Sequence, residues 1–184
     1  MLLFYLSLLE TDHDKDKFTT LYSKYSKLLK HVALQKLNDD QLAEDAVHNA
    51  FLNIIKNFHM VGEIDSHKTK RLLVVVTENA AIDIRRKRQK YPQNSFDELE
   101  PVLGSSPDML DGIAVRELME MIAELPDIYR IVLEMRAFQG MSEKQIAAML
   151  DISYEAARKR LERARAMLTQ RMRRRQKGES YELL

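Results

Sequence analysis

The chain has 184 residues, which suits one ordinary domain or two small ones, and its formal net charge of +1 hides an uneven distribution of charge. Cysteine is absent, which excludes a disulfide, a thiolate metal site and a cysteine nucleophile, and which fits a reducing cytoplasm. Only five glycines and four prolines, with much Leu, Ala, Lys, Arg and Glu, favour an all-helical protein.

The beginning of the chain, residues 1–9, is apolar but too short to span a bilayer, and it lacks a basic flank and a cleavage pattern. We expect a helix packed on its own domain and no membrane insertion. Helical spacing of apolar residues follows over 18–37 and is broken at 38–40, where Asp39 or Asp40 can cap the next helix.

That next helix is predicted over 41–58, with one apolar face and one polar face. The polar face carries Glu44, Asp45, His48, Asn49 and Asn53. From chemistry alone, a solvated surface is the ordinary interpretation of such a face.

A loop over 59–67 leads to a third helix, predicted over 66–90. The β-branched run 74–77 could form a strand, but the absence of partner strands elsewhere favours a buried helix. The helix ends in Arg85, Arg86, Lys87 and Arg88. Cations there offset the helix dipole, yet the block is denser than a helix end needs, which favours phosphate contact.

Residues 91–111 hold three of the four prolines and a Gly-Ser-Ser run, and no Lys or Arg occurs from Tyr91 to Val115. This composition predicts a flexible acidic linker. We therefore expect an N-terminal domain over 1–90, a linker over 91–111, a C-terminal domain over 112–177 and a tail over 178–184. In the C-terminal domain, helices are predicted over 113–125 and 127–138.

The last helices form a predicted helix-turn-helix. Ser142 and Gln145 make a capping-box pattern before a short helix, residues 151–153 form a turn, and a longer basic helix follows over 154–174. The second helix of this motif enters the major groove of DNA. Its candidate DNA contacts are Tyr154, Arg158, Lys159, Glu162 and Arg163.

Within this helix we expect Arg158 and Glu162 nearest the bases, and Arg160 and Arg163 nearer the phosphates, although the sequence does not assign each arginine. The arginines over 171–175 lie too far along for base reading. They either contact the DNA backbone or form a solvated basic tail.

Motifs typical of enzymes are missing. The glycines form no phosphate loop or dinucleotide fingerprint, and the histidines lack zinc-ligand spacing. We predict a protein that is not an enzyme and has no cofactor and no metal. A C-terminal helix-turn-helix also occurs in two other kinds of protein, which stay open as alternative functions. One is a regulator that binds DNA and acts without polymerase. The other is a recombinase or transposition protein, which would need a carboxylate triad or a nucleophilic Ser or Tyr in the first half of the chain.

The ordered motifs resemble those of extracytoplasmic-function sigma factors of RNA polymerase. Residues 43–52, AEDAVHNAFL, resemble sigma region 2.2, and residues 72–88 are similar to regions 2.3 and 2.4. Residues 125–130, LPDIYR, resemble the opening of region 4, and 141–147 with 160–165 resemble its helix-turn-helix. Region 3 is replaced by the linker, which is the layout of this group.

The resemblance implies two small helical domains and a role for each motif. Region 2.2 would dock on the clamp helices of the polymerase β′ subunit through Asp45, His48, Asn49 and Asn53. Regions 2.3 and 2.4 would bind and melt the −10 element, and the matching residues there are Asn79, Asp83, Arg85, Arg86 and Arg88. The loop over 59–67 would cradle a flipped base.

Region 4 would read the −35 element through the helix over 154–174 and pack on the β flap, and the linker would thread the RNA exit path. Catalysis would stay with the core polymerase in the cytoplasm, and anti-sigma factors commonly bind this family. We further expect the two domains to be separate bodies that contact the same DNA at different places, with the last cationic helix exposed to solvent.

The chain departs from the family pattern at three places. His48-Asn49 stands where Gln-Glu is usual, which removes an anion from the expected polymerase contact. Arg71-Leu72 stands where a Trp is usual near the start of region 2.3, so strand separation by stacking is harder to assign. Lys159 replaces a common small polar residue, so the −35 sequence is not predictable.

Overall fold

The computed structural model describes residues 1–90 and 113–176, and the regular structure in these ranges is helical. The N-terminal module, residues 1–90, contains α1 (Leu2–Ser7), α2 (Asp12–Leu37), α3 (Asp40–Lys56), a 3-10 turn (Phe58–Met60) and α4 (His67–Lys90). The C-terminal module, residues 113–176, contains α5 (Ile113–Ala123), α6 (Asp127–Gln139), α7 (Glu143–Leu150) and α8 (Tyr154–Gln176). The expected all-helical class with two helical domains is confirmed. The expected linker and tail lie outside the described residues.

In the N-terminal module, α2, α3 and α4 pack together, and α1 covers one end of α2 and α3. The Thr11 side chain caps α2, and Asp39 caps α3 by accepting a 3.1 Å hydrogen bond from Leu42 N–H. The helices meet around fully buried rings such as Phe18 and Phe51, whose centroids are 5.6 Å apart with edge-to-face geometry. This packing confirms the expected helix at the beginning of the chain.

The β-branched run 74–77 lies inside α4, as expected. Val75, Val76 and Thr77 are buried, and the Thr77 hydroxyl donates a 2.9 Å hydrogen bond to the Leu73 carbonyl one turn earlier. The polar group of Thr77 is thus satisfied within the helix, so the helix can be buried at this point without loss of a hydrogen bond.

The C-terminal module has the expected helix-turn-helix. Ser142 and Gln145 form a complete capping box at the start of α7, and Ser153 Oγ accepts a 3.1 Å hydrogen bond from Ala156 N–H at the start of α8. Between them, Asp151 has φ 53°, a left-handed conformation that Asp tolerates better than most residues. This turn fixes the direction in which α8 leaves the module.

The two modules are packed against each other, which differs from the expected separate bodies. α6 and α7 lie against α4, α7 also contacts α3, and the buried apolar residues of both modules form one continuous cluster. The physical reasons are this shared apolar cluster, which favours close packing, and a set of charged and polar side chains that pair across the boundary. No helix in the described part of the chain is both long and apolar enough to cross a bilayer.

Candidate nucleic-acid interface

The exposed face of α8 carries every residue predicted for the recognition helix. One side of α8 is buried against α6 and α7 through Ala157, Leu161 and Ala164, which are 0%, 1% and 0% exposed. The opposite side of the helix therefore faces solvent. That outward side presents the five predicted residues, all exposed: Tyr154, Arg158, Lys159, Glu162 and Arg163. The spacing of the small and apolar residues therefore sets which charged side chains meet solvent.

Two contacts hold this face in place. The Tyr154 hydroxyl donates a 2.9 Å hydrogen bond to Glu143 Oε2 in α7, which raises the pKa of the Tyr154 phenol. Arg158 Nε lies 3.7 Å from Glu162 Oε1, one turn along the same helix. Both residues of this pair are well exposed, so the pair contributes little to stability and the Arg158 guanidinium stays accessible from solvent.

Arg160 differs from its neighbours because it is half-buried and faces the N-terminal module. Burial lowers the pKa of Arg160, against the opposing charge of Asp83 in α4. Its Nη1 atom is buried without a hydrogen-bond partner. Arg160 is therefore less accessible than Arg163 in this arrangement, and its phosphate contact stays a prediction.

Arg171 stabilises the C-terminal module itself. Its guanidinium donates hydrogen bonds to the carbonyls of Met121 and Glu124 and to the Glu124 carboxylate, at 3.3, 3.0 and 3.0 Å. Arg171 thereby connects the end of α5 to α8. Neither of the two roles expected for this arginine, a contact with the DNA backbone or a place in a solvated tail, included this contact. Arg173 and Arg174 are exposed, as either of those two interpretations requires.

The residues predicted for the −10 element divide into two groups. Arg86 and Arg88 are exposed and Arg85 is half-buried at the end of α4, where Arg88 Nη1 lies 3.7 Å from Asp39 Oδ2. Asn79 is only 3% exposed, and its amide donates hydrogen bonds to Asp83 Oδ2 at 3.1 Å and to the Leu150 carbonyl at 3.4 Å. The cationic end of α4 is therefore accessible, while its middle is covered by the C-terminal module.

Asp83 is half-buried beside Asn79, and burial raises its pKa in spite of the nearby charges of Arg160, Lys87 and Arg86. Desolvation of the carboxylate thus outweighs the cations around it.

The residues predicted for polymerase contact lie together on α3. Asp45 and Asn49 are exposed, and His48 and Asn53 are half-buried. His48 Nδ1 lies 2.8 Å from the hydroxyl of Tyr5, so one ring nitrogen of His48 is occupied inside the module. Burial raises the pKa of Tyr5 to about 12, with a further contribution from Tyr22, which keeps this phenol protonated.

A shallow cleft of about 360 Å³ lies between α2 and the loop before α4. The Tyr25 hydroxyl donates a 2.7 Å hydrogen bond to the Ile64 carbonyl, and Lys24 contacts Asp65, so α2 holds this loop. The cleft is lined by Lys24, Tyr25, Leu28, Asp65, Ser66, His67 and Lys70. Within the described ranges, no group of His, Asp and Glu residues is arranged to hold a metal ion.

Sequence reasoning missed a cluster of three cations and three carboxylates between the modules, which we call the ionic cluster. Its members are Lys36, Arg71, Glu78, Asp127, Arg130 and Glu134. The sequence feature that could have revealed the ionic cluster is Glu78. It lies within the buried stretch from Val75 to Ile82, where a charged side chain requires a partner.

Comparison with known proteins agrees with this geometry. Residues 21–91 match the family profile of Sigma-70 region 2, and residues 115–168 match that of Sigma-70 region 4. The chain belongs to the sigma-70 family, in its extracytoplasmic-function group. The sigma factor directs RNA polymerase to promoters in transcription initiation, and members of this family are initiation factors rather than enzymes.

The sigma factor is similar to several curated proteins over most of its length. It is 28% identical to RNA polymerase sigma factor SigZ of Bacillus subtilis (strain 168), over 82% of this chain and 84% of that protein. It is 27% identical to ECF RNA polymerase sigma factor SigM of the same strain, over 80% and 90%. A regulator without polymerase is not favoured, because it would leave the region 2 match unexplained.

Two solved structures are also similar. One is the sigma factor RpoE in complex with the anti-sigma factor NepR from Bartonella quintana, at 18% identity and TM-score 0.45, covering 85% of this chain and 96% of that chain. The other is CnrH in complex with the cytosolic domain of CnrY, at 20% identity and TM-score 0.33, covering 84% and 86%.

Proposed function

We propose that the sigma factor distributes its contacts over three surfaces: α3 for core polymerase, the loop before α4 with the end of α4 for the −10 element, and α8 for the −35 element. The observation that carries this proposal is the exposed face of α8, where cations stand opposite a buried face of small and apolar residues in a helix-turn-helix.

For the −35 element, α8 would lie in the major groove with its first turns toward the base edges. Arg158 is the residue best placed to read guanine, because its guanidinium is exposed and held only by Glu162. Lys159 and Arg163 would neutralise phosphates, and Tyr154 would contact the backbone at the start of the helix. Phosphate contacts position the helix, and base contacts specify the sequence.

For the −10 element, the exposed cations Arg86 and Arg88, with Arg85, would hold the phosphates of the opened region. The cleft beside the loop before α4 would accept one flipped base, with Tyr25 supporting the loop from below. Asn79 and Asp83 would contribute only when the C-terminal module leaves α4, since Asn79 is buried beneath it.

For core polymerase, Asp45 and Asn49 would contact the β′ clamp helices directly, because both side chains are exposed on the same side of α3. His48 would present its second ring nitrogen, since Tyr5 occupies Nδ1. The C-terminal module would rest on the β flap. An anti-sigma protein is a further expected partner, and since polymerase and chromosome set the place of action, we infer that the protein works in the cytoplasm and catalyses no reaction of its own.

The test combines the purified sigma factor with core RNA polymerase on a library of genomic fragments. We expect a one-to-one complex and transcripts that start at a fixed distance from a shared pair of promoter elements. Failure to form a complex, with no transcript above the level of core alone, would contradict the proposal.

A further inference from the structure

The short helix α1 is apolar on every side, although only one of its sides packs against the N-terminal module. Five of its six residues are aliphatic or aromatic, and its buried side is carried by Tyr5, which is 2% exposed. A helix at the surface of a domain ordinarily has one apolar face and one polar face. The packing of the module therefore does not account for the outward side of α1.

The outward side of α1 forms an exposed apolar patch, which we call the α1 patch. Its members are Met1, Leu3, Phe4 and Leu8, which are 71%, 83%, 49% and 45% exposed. Among the residues that the structure describes, the other large apolar side chains with comparable exposure are dispersed over α2 and both ends of α8: Leu34, Tyr154 and Met172. Single exposed apolar side chains are ordinary on a protein surface, whereas a group of neighbouring ones marks an interaction site.

Tyr5 holds α1 firmly on the module. The centroid of its ring lies 5.6 Å from that of Phe18 and 5.5 Å from that of Phe51, and its hydroxyl lies 2.8 Å from His48 Nδ1. Both α2 and α3 therefore fix the position of α1. The α1 patch is preformed, so a partner that covers it loses little free energy in ordering it.

The α1 patch adjoins the surface of α3 that the proposed function assigns to core polymerase. The rings of Phe4 and His48 are neighbours, with centroids 6.0 Å apart. His48 follows Asp45 by three residues and precedes Asn49, so the three side chains lie on one side of α3. A partner that covers His48 therefore also meets Phe4.

The charges beside the α1 patch indicate which partner fits it. Residues 10–17 contain four acidic side chains against two lysines, and both lysines are engaged, Lys15 with Asp12 and Lys17 with a backbone carbonyl. Asp45 adds a further exposed anion on α3. A second copy of this chain or an anionic lipid surface would place like charges together, which disfavours both. An apolar strip flanked by cations fits the charges and the patch.

We propose that core polymerase covers the α1 patch, through an apolar strip with basic flanks that lies on α1 and α3 together. The inference rests on the proposed function, because it extends the surface assigned to polymerase on α3. The region 2 profile matches from residue 21 onward, so α1 precedes the matched part of the chain. The patch adds apolar burial to a surface that otherwise offers polar side chains.

The first test replaces Leu3, whose exposed side chain can change without loss of internal packing. Leu3→Gln should weaken the binding of the full-length sigma factor to core polymerase about tenfold, measured by fluorescence titration, with an unchanged melting temperature. Leu34→Gln is the matched control, because Leu34 is a 36% exposed leucine near the far end of α2. Equal affinities of the two variants overturn the inference and leave the proposed function standing. A wild-type protein that forms no complex with core overturns the proposed function, and the inference with it.

Opposite charges at the same position test the chemistry of the partner. Leu3→Glu and Leu3→Lys both remove the apolar side chain, but only the lysine would face cations of the same sign. We expect Leu3→Lys to weaken core binding at least about threefold more than Leu3→Glu, with a difference that shrinks as salt is raised. Equal losses, or a larger loss with Leu3→Glu, overturn the basic flanks of the proposed strip.

Thiol labelling tests whether polymerase covers the α1 patch directly. The natural chain has no cysteine, so Leu3→Cys and Leu34→Cys each carry a single thiol. Core polymerase should slow the maleimide labelling of Leu3→Cys at least about tenfold and that of Leu34→Cys little, because labelling needs an accessible thiolate. Labelling of Leu3→Cys at the same rate with and without core overturns the inference.

Sedimentation of the sigma factor alone separates polymerase from a second copy as the occupant. We expect a monomer for both the wild type and Leu3→Gln. A wild-type dimer that Leu3→Gln dissociates would assign the α1 patch to contact between copies and overturn the inference.

Discussion

Arg130 in α6 donates a 2.8 Å hydrogen bond to Glu78 in α4, and the two side chains are only 11% and 5% exposed. Burial acts to lower the pKa of Arg130, but the charges of Glu78 and Glu134 outweigh it, so the pKa lies above its ordinary value. Asp127 shows the converse: burial acts to raise its pKa, yet the hydrogen bond from Arg130 and the charge of Lys36 hold it below the usual range. Both shifts favour the charged forms of Arg130 and Asp127, although these side chains are largely removed from solvent.

Glu78→Gln keeps the size of the side chain but removes its charge, so Arg130 loses one of its partners. We expect the packed arrangement to weaken by about 1.5–3 kcal/mol, the usual contribution of a hydrogen bond to a charged group. Energy transfer between dyes placed on the two modules measures their separation as urea is raised. Glu44→Gln removes a surface partner of Lys30 and should shift the midpoint far less. Identical midpoints in both variants would contradict the role of Glu78.

Arg158→Ala should reduce transcription from promoters with the cognate −35 element by about 5- to 150-fold, since one base contact contributes about 1–3 kcal/mol. Complex formation with core should not change. Arg173→Ala removes the same charge from the exposed far end of α8, and should weaken binding slightly and equally on all sequences. The prediction is wrong if the two variants affect cognate and altered −35 elements alike.

Asp45→Arg reverses an exposed charge on α3 and should abolish the complex with core polymerase, because the proposed partner surface then meets a cation in place of an anion. Gel filtration with core measures the loss, and circular dichroism checks that the helices remain. Asp16→Arg makes the same change at an exposed position of α2 and should leave the complex intact. Normal core binding by the Asp45 variant would remove α3 from the interface.

Tyr5→Phe removes the hydroxyl that lies 2.8 Å from His48 Nδ1 and keeps the buried ring. We expect the free energy of unfolding to fall by about 0.5–1.5 kcal/mol, the net contribution of one hydrogen bond. If His48 contacts polymerase, its freed ring should also weaken core binding severalfold. Calorimetric unfolding and titration with core separate these two effects, and unchanged core affinity would argue that the orientation of His48 does not matter.

Asp127 gives a pH dependence of known sign. Because its pKa is lowered in the folded protein, the stabilisation it provides is present above the ordinary Asp value of about 3.9 and is lost as the pH falls through the lowered value. Asp127→Asn lacks this contribution. The difference in melting temperature between wild type and variant should therefore be largest above about pH 4 and shrink toward acid. A difference that is constant from neutral pH to acid would contradict the assignment.

The helices follow closely from the sequence, because apolar spacing and capping residues act locally. The third helix was expected over 66–90 and is observed at His67–Lys90, and the recognition helix, expected over 154–174, is Tyr154–Gln176. α2 begins earlier than expected, at Asp12 instead of residue 18, because Thr11 caps it and acidic residues occupy its first turn. No apolar period marked that polar first turn.

The packing of the modules could not be predicted in the same way. Lys36 and Asp127 are 91 residues apart, and no local period relates them. Asn79 and Arg160 both belong to motifs that the resemblance assigned to DNA, yet in the packed arrangement one binds a carbonyl of α7 and the other faces Asp83. The sequence predicts which residues are chemically suited to DNA, and the tertiary structure decides which of them are accessible.

The most direct test of the central claim measures the binding of fluorescent promoter DNA to the sigma factor alone, to core polymerase alone and to both together, at one fixed salt concentration. We expect tight, sequence-selective binding only when both proteins are present, because core would hold the two modules on the two promoter elements. Equally tight and selective binding by the sigma factor alone would contradict it.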